Sequence, residues 1–328
     1  MAERTRVKRA PDFKSTFFAH LLLIVPLFEG VSAFSQVVSL DLRSKLSSTG
    51  AEETKWCKIL NKVLPKDIRC VCSAEVEPEF SARFSCKKRT YRYFFPLDNL
   101  NLQLMRKAGS YLEGTHDFRN FAKLDKTKLI TNYIRTIDSV RIVKFQSEGR
   151  LPRVGTEEDQ AVHDQVLSGK DADQNDQSTA NSPRDIYELR IRSSAFLWHQ
   201  IRCIVSVLFC IGAGKEAPEL VLDLFDLNKF ALKPLYSLAY ELPLVLFDCE
   251  FDLDNWTYDE EAMRDAIASL NECWVENRMK CAVATCMLND LEKRRLAVDE
   301  LNEFQKYYVG DLAVKNYRKF SERAQCGR

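Results

Sequence analysis

Apolar residues recur along this chain with two different periods, and the switches between them lay out its elements. VSAFSQVVSLDL (31–42), rich in β-branched and aromatic residues, predicts a strand. KWCKILNKVL (55–64) has helical spacing, with Trp56, Ile59, Leu60 and Val63 on one face, and Pro65 ends it. Strand patterns follow over 68–76 and 82–95. LDNLNLQLMRKAGSYLEG (97–114) predicts an amphipathic helix closed by Gly114. NYIRTIDSVRIVKF (132–145) and IYELRIRS (186–193) predict strands. Between them, 147–184 is poor in large apolar residues and rich in Asp, Gln, Ser and Asn, the composition of a solvated or disordered insertion. AFLWHQIRCIVSVLFCIG (195–212) is apolar nearly all round and predicts a buried helix. KEAPELVLDLFD (215–226) predicts a second helix with Pro218 in its first turn. PLVLFDCEFD (243–252) predicts a last strand, and 257–320 has helical character with i,i+4 charge pairs. The order is α+β with antiparallel pairing.

Charge and cysteine usage narrow the chemistry. The 328 residues carry 48 Lys and Arg against 47 Asp and Glu, a net charge of +1, so any contact with nucleic acid must come from local basic patches. Eleven cysteines are scattered without a CxxC pair, and the four histidines are dispersed, so no zinc-ligand spacing is visible. Several cysteines lie in apolar runs as small hydrophobes, which favours a reducing compartment, nucleus or cytoplasm. The N-terminus offers an alternative. A basic stretch before FFAHLLLIVPLF (17–28) and VSA (31–33) imitates a targeting signal, which would send residues 1–28 and their domain to an organelle. The run is too short to span a bilayer, so no membrane partner is expected.

Three segments could carry chemistry. In ARFSCKKRTYRYFF (82–95), five of the ten residues 83–92 are basic, namely Arg83, Lys87, Lys88, Arg89 and Arg92, and aromatics interleave with them. On a strand, Lys87, Arg89, Tyr91 and Tyr93 share one face, a pattern that suits a phosphate backbone plus a stacked base. An ordinary charged surface strand has the same composition. GTHDFRNFAK (114–123) contains His116, a candidate general acid or base, and Asp117, which could equally cap a helix. Arg202, inside the apolar helix, needs either water or an acidic partner.

Taken together, GVSAFSQVVSLDLRS (30–44), LNKVLPKDIR (60–69), FSARFSCKKRTYRYFFP (80–96), GTHDFRNFAK (114–123), SSAFLWHQIRCIVSVLFCIGAGKE (193–216) and ELPLVLFDCEF (241–251) resemble the tRNA pseudouridine synthase A family, in its eukaryotic branch acting on positions 38 and 39 of the anticodon arm. The resemblance implies a two-half α+β fold with a mixed, mainly antiparallel sheet flanked by helices. It implies tRNA as partner, a homodimer, and no metal or organic cofactor. In such enzymes an Asp in a Gly-Arg-Thr-Asp-Lys-Gly loop acts on the target uridine, and the base leaves the RNA stack to reach it. By their motif positions, Tyr91 would stack on the target base, Arg202 would pair with the catalytic Asp, and Arg83, Lys87 and Arg89 would help hold RNA.

The resemblance stops at Gly30. Where the family has Gly-Arg-Thr-Asp-Lys, this chain has Val25, Pro26, Leu27, Phe28 and Glu29, so the nucleophile position is Phe28 and has no carboxylate. A sharp boundary of this kind has the form of a splice or gene-model junction. The expected organisation is a non-family leader (1–29), the remnant of an incomplete N-terminal half (30–79), a C-terminal half (80–252) and a helical tail (253–328). The apolar 17–28 segment could pack against the sheet edge left open by the missing first strand. Two functions follow: an impaired isomerase of uridine to pseudouridine, or a non-catalytic tRNA-binding protein.

Overall fold

Strand Thr16–Leu27 (β1) runs antiparallel to Ile68–Val76 (β3), with Thr16 opposite Val76, Leu23 opposite Ile68, and a register shift between His20 and Leu21. This apolar segment therefore occupies a sheet position beside β3. The computed structural model describes residues 16–27, 31–41, 55–65, 67–123, 130–145, 182, 184–294, 309–313 and 316–326. Phe28, residues 1–15, and the insertion between 146 and 181 lie outside the described residues.

The chain forms two compact units, each built from separated stretches. Unit 1 gathers residues 1–27, 33–87 and 249–297. Its strands lie in the order β2 (Val31–Asp41), β1, β3 and β9 (Thr257–Tyr258), with β9 antiparallel to β3. Helix α1 (Trp56–Asn61) and the turn that follows it seat Cys57, Leu60 and Leu64 inward beside Val38, while Ile59 and Val63 are exposed. The predicted face was thus rotated. The helix is only six residues long, and its anchor is the small thiol of Cys57, to which the Cys70 thiol donates at 3.3 Å. The long helix α5 (Glu260–Arg294) buries Ala262 and Ala266 on β3 and then leaves the body. Beyond it, Trp274, Met279, Val283, Met287 and Leu291 are exposed.

Unit 2 gathers residues 28–32, 88–248 and 298–328. Its strands are ordered β5 (Gly114–Asp117), β6 (Ile134–Lys144), β7 (Ile186–Ser193), β4 (Lys88–Pro96) and β8 (Leu244–Glu250). The β5–β6, β6–β7 and β6-flanked β7–β4 pairings are antiparallel. Their inward faces carry Tyr93, Phe95, Ile137, Val140, Ile142, Tyr187, Leu189 and Ile191. Against them lies α3 (Gln200–Gly212), in which only Arg202 escapes full burial. Phe209 meets Tyr93 and Phe95 edge-on at 5.9 and 5.2 Å. Removing a large side chain of this kind from water contributes about 1.5–3 kcal/mol, so this layer is the main source of the unit's stability. Helix α2 (Leu102–Ser110) crosses the end of α3 closely: a Cβ on Gly212 would fall 2.6 Å from Met105 Sδ.

Element ends differ from the sequence expectation where side chains rewrite them. The expected strand 82–95 begins only at Lys88, because Ser81 turns the chain by accepting from the N–H groups of Phe84 and Ser85. Helix α2 begins after Asn101, whose side chain caps Leu104 N–H at 3.0 Å, and it stops before Gly114, which opens β5 with a φ of 98°. Helix α3 begins at Gln200 rather than 195, because His199 adopts a left-handed φ of 55°. Helix α4 (Leu220–Phe225) starts after Pro218, whose carbonyl accepts from Val221.

The buried thiols give a direct check of this layering. Burial pushes Cys72 and Cys210 up to about 12, and Cys203 in the same direction, while Cys281 and Cys286 are exposed on α5. Maleimide at neutral pH should therefore label Cys281 and Cys286 first. Cys72, Cys203 and Cys210 should react only on unfolding, as read by peptide mass spectrometry; equal rates would contradict the burial of α3.

Candidate functional site

The basic strand divides its charges between two faces. On β4, residues 88, 90, 92 and 94 oppose residues 89, 91, 93 and 95. The first set meets a row of arginines: Arg92 lies opposite Arg190, which lies opposite Arg141. Beneath them Glu188 is 2% exposed and accepts from Arg190 Nε at 3.0 Å, with Arg92 Nη1 at 3.4 Å. The Arg92 guanidinium also lies over the Phe247 ring, 3.3 Å from its centroid, and burial pushes its pKa down to about 10. Arg92 is therefore part of the internal packing of unit 2.

The second set holds two predicted site residues of this unit, Arg89 and Tyr91. Tyr93 is core. Tyr91 is half-buried and meets Phe196 edge-on, with ring centroids 5.2 Å apart. Arg89 Nη1 donates to the Ser194 carbonyl at 3.0 Å. Both thus rest on the segment 194–199, which leads from β7 into α3. That segment is fixed from several sides. Ser193 Oγ donates to the Thr136 carbonyl at 2.6 Å, Leu197 N–H donates to Gln200 Oε1 at 2.7 Å, and Lys123 N–H donates to the Trp198 carbonyl at 3.1 Å.

Arg83 and Lys87 belong to unit 1. Arg83 sits in the Ser81 turn, 5.4 Å from the ring of the exposed Phe84. Lys87 pairs with Asp252 at 2.6 Å, with both side chains largely in solvent. Lys87 precedes the strand and does not share a strand face with Arg89 and Tyr91.

Arg202, in the first turn of α3, has two acceptors. Its Nε donates to the Ala239 carbonyl at 2.7 Å and its Nη2 to Glu241 at 2.8 Å. The Arg202 side chain is 13% exposed, so these contacts meet the demand that a nearly buried cation be partnered. The acceptor segment is itself held from the far end of the chain. Asp311 accepts from Ser237 N–H at 3.0 Å and from Arg323 at 2.9 Å, Leu235 N–H donates to the Ala324 carbonyl at 2.8 Å, and the buried Phe320 ring lies 5.0 Å from Tyr236.

The third predicted segment is structural. His116 stacks on Phe225 at 4.3 Å, and its Nε2 lies 2.8 Å from the Glu113 carbonyl, which requires that nitrogen to donate. Asp117 accepts from the Arg119 N–H at 3.0 Å. Asn120 is buried and donates to the carbonyls of Leu224 and Phe230.

Glu241, Trp198 and Lys123 are residues of this region that the sequence reading missed. Trp198 lies inside the apolar run 195–212, whose pattern predicts helix throughout. The sequence holds no mark for its exposure, because Phe196, Leu197 and Trp198 are all apolar and only the fold separates them into half-buried, buried and exposed.

Residues 108–252 match the family described as tRNA pseudouridine synthase. The chain is 39% identical over 278 residues to the tRNA pseudouridine(38/39) synthase of Homo sapiens, covering 80% of this chain and 52% of that protein. It is 39% identical over 313 residues to the enzyme of the same name from Saccharomyces cerevisiae, covering 90% and 61%. It is 30% identical over 323 residues to a probable tRNA pseudouridine synthase of Caenorhabditis elegans, covering 91% and 73%. The chain spans about half to just under two thirds of the length of the human and yeast relatives.

Removing the Glu241 carboxylate leaves Arg202, among the described residues, with the Ala239 carbonyl as its hydrogen-bond acceptor. Glu241→Ala should cost about 1–2 kcal/mol in urea unfolding, and Glu241→Gln clearly less, since the amide oxygen still accepts.

Proposed function

The chain belongs to the tRNA pseudouridine synthase family, and on that footing we propose that it binds the anticodon arm of tRNA at the uridines of positions 38 and 39. The observation that supports this reading is the seating of Tyr91 and Arg89 on the same segment that leads into Arg202. A half-buried phenol beside a guanidinium suits a base lifted from its stack and the phosphate next to it. Arg83 and Lys87, also assigned to RNA by the resemblance, are exposed on unit 1, where Lys87 is paired with Asp252. The associated reaction is an isomerisation. The bond from N1 to C1′ breaks, the uracil turns, and C5 bonds to C1′. C5 loses its proton to solvent and N1 gains one, so no atoms are added or removed overall.

This chain carries Phe28 where the reaction needs an aspartate, and a phenyl ring supplies neither a nucleophile nor a negative charge. Binding is therefore its leading activity and conversion is impaired. Free thiols at all eleven cysteines support residence in nucleus and cytoplasm. Self-association into a homodimer belongs to the same reading, and the exposed apolar residues of α5 offer area for it.

Pseudouridine mapping of unmodified tRNA incubated with the purified chain tests the reading. Salt-dependent tRNA binding with little or no conversion at 38 and 39 is expected. A variant carrying Val25→Gly, Pro26→Arg, Leu27→Thr, Phe28→Asp and Glu29→Lys should convert more than the parent chain. Full conversion by the parent would overturn the role given to the missing carboxylate, and no binding above a neutral control protein would overturn the reading as a whole.

A further inference from the structure

We infer that Trp198 and Lys123 form a second nucleotide subsite, in which an unpaired base next to the target uridine stacks on the indole and its phosphate meets the lysine. The inference rests on the reading of this chain as a tRNA-binding protein and adds a contact to it.

The segment 194–199 alternates its side chains. Phe196 turns to Tyr91, Leu197 enters the core at 5% exposure, and Trp198 turns out at 40%. Among the described residues, the indole's ring contacts are with Lys123 and His199 at the surface of unit 2. A large aromatic ring is held there by a rigid frame. The Trp198 carbonyl accepts from Lys123 N–H, and the next residue, His199, stands in the left-handed region with φ 55° and ψ 17°. That conformation is strained for a residue with a Cβ. It ends the loop abruptly and starts α3 without a side-chain cap. The His199 ring lies 4.6 Å from the indole, tilted by 41°.

The Lys123 side chain supplies the second half of the site. Its ammonium lies over the indole, 5.1 Å from the ring. An ammonium over an exposed ring is held weakly. A base can take its place on the ring, because base–indole stacking is the stronger contact and tolerates any base. The displaced ammonium then remains within reach of the phosphate that the nucleotide brings with it. The same loop carries Phe196 and Ser194, against which Tyr91 and Arg89 rest. One short segment is thus met by Tyr91 and Arg89 at Phe196 and Ser194 and by Lys123 at Trp198, aromatic rings and cations in the order that a single-stranded run of nucleotides could follow.

The test uses the full chain with two RNA probes, an unmodified tRNA and a short single-stranded uridine oligonucleotide, in fluorescence and filter-binding titrations. Both RNAs should quench a tryptophan signal that is absent from Trp198→Phe. Trp198→Ala should bind about tenfold more weakly, Trp198→Phe should bind close to the parent, and Lys123→Gln should reduce the salt slope by about one. If the parent binds and Trp198→Ala binds equally well, the subsite is wrong while the tRNA reading stands. If the parent binds neither RNA, both are overturned.

Discussion

Everything that unit 2 presents to solvent depends on one constraint, the burial of α3 on all sides. A helix that is apolar all round must be enclosed by other elements. The strands β4, β6 and β7 cover one side of it, α2 crosses its last turn at Gly212, and the segment 233–241 covers another side. The only charged side chain in the helix, Arg202, can persist at 13% exposure because that covering segment supplies a carbonyl and a carboxylate at 2.7 and 2.8 Å. The packing demand and the placement of the cation are therefore one arrangement.

The two faces of β4 show how one basic sequence serves two purposes. Arg92 and Arg190 share the buried Glu188 and stay within the sheet. Arg89 and Tyr91, one position out of phase, rest on the 194–199 segment. Alternation along a strand separates neighbouring residues into structural and accessible sets, so the density of basic residues in 83–92 overstates the charge available to a polyanion.

Much of this was legible in the sequence. The strands at 31–42, 68–76, 132–145, 186–193 and 243–252 were readable because their alternation and β-branched content persist over many residues. The buried helix was readable from its continuous apolar run. The start of α3 was not, since a run of apolar residues has no mark for the point where a loop becomes a helix, and the decisive feature was a backbone angle at His199. Nor could periodicity find the partner of Arg202. Glu241 lies 39 residues away, and only the fold brings the two together. His116 drew attention as a titratable group, yet a ring stacked on Phe225 and tied to a carbonyl is packing.

The interleaving of the two units also has a temporal side. The interior of unit 1 needs Ala262 and Ala266 from α5, and the interior of unit 2 needs Val309 and Phe320. On the ribosome, the strands of both units emerge long before the segments that seal them. Each nascent unit must therefore wait with apolar surface uncovered, and contacts closing over such long stretches form slowly. A chain arranged in this way calls for chaperone protection during its synthesis, a demand set by the order of its segments.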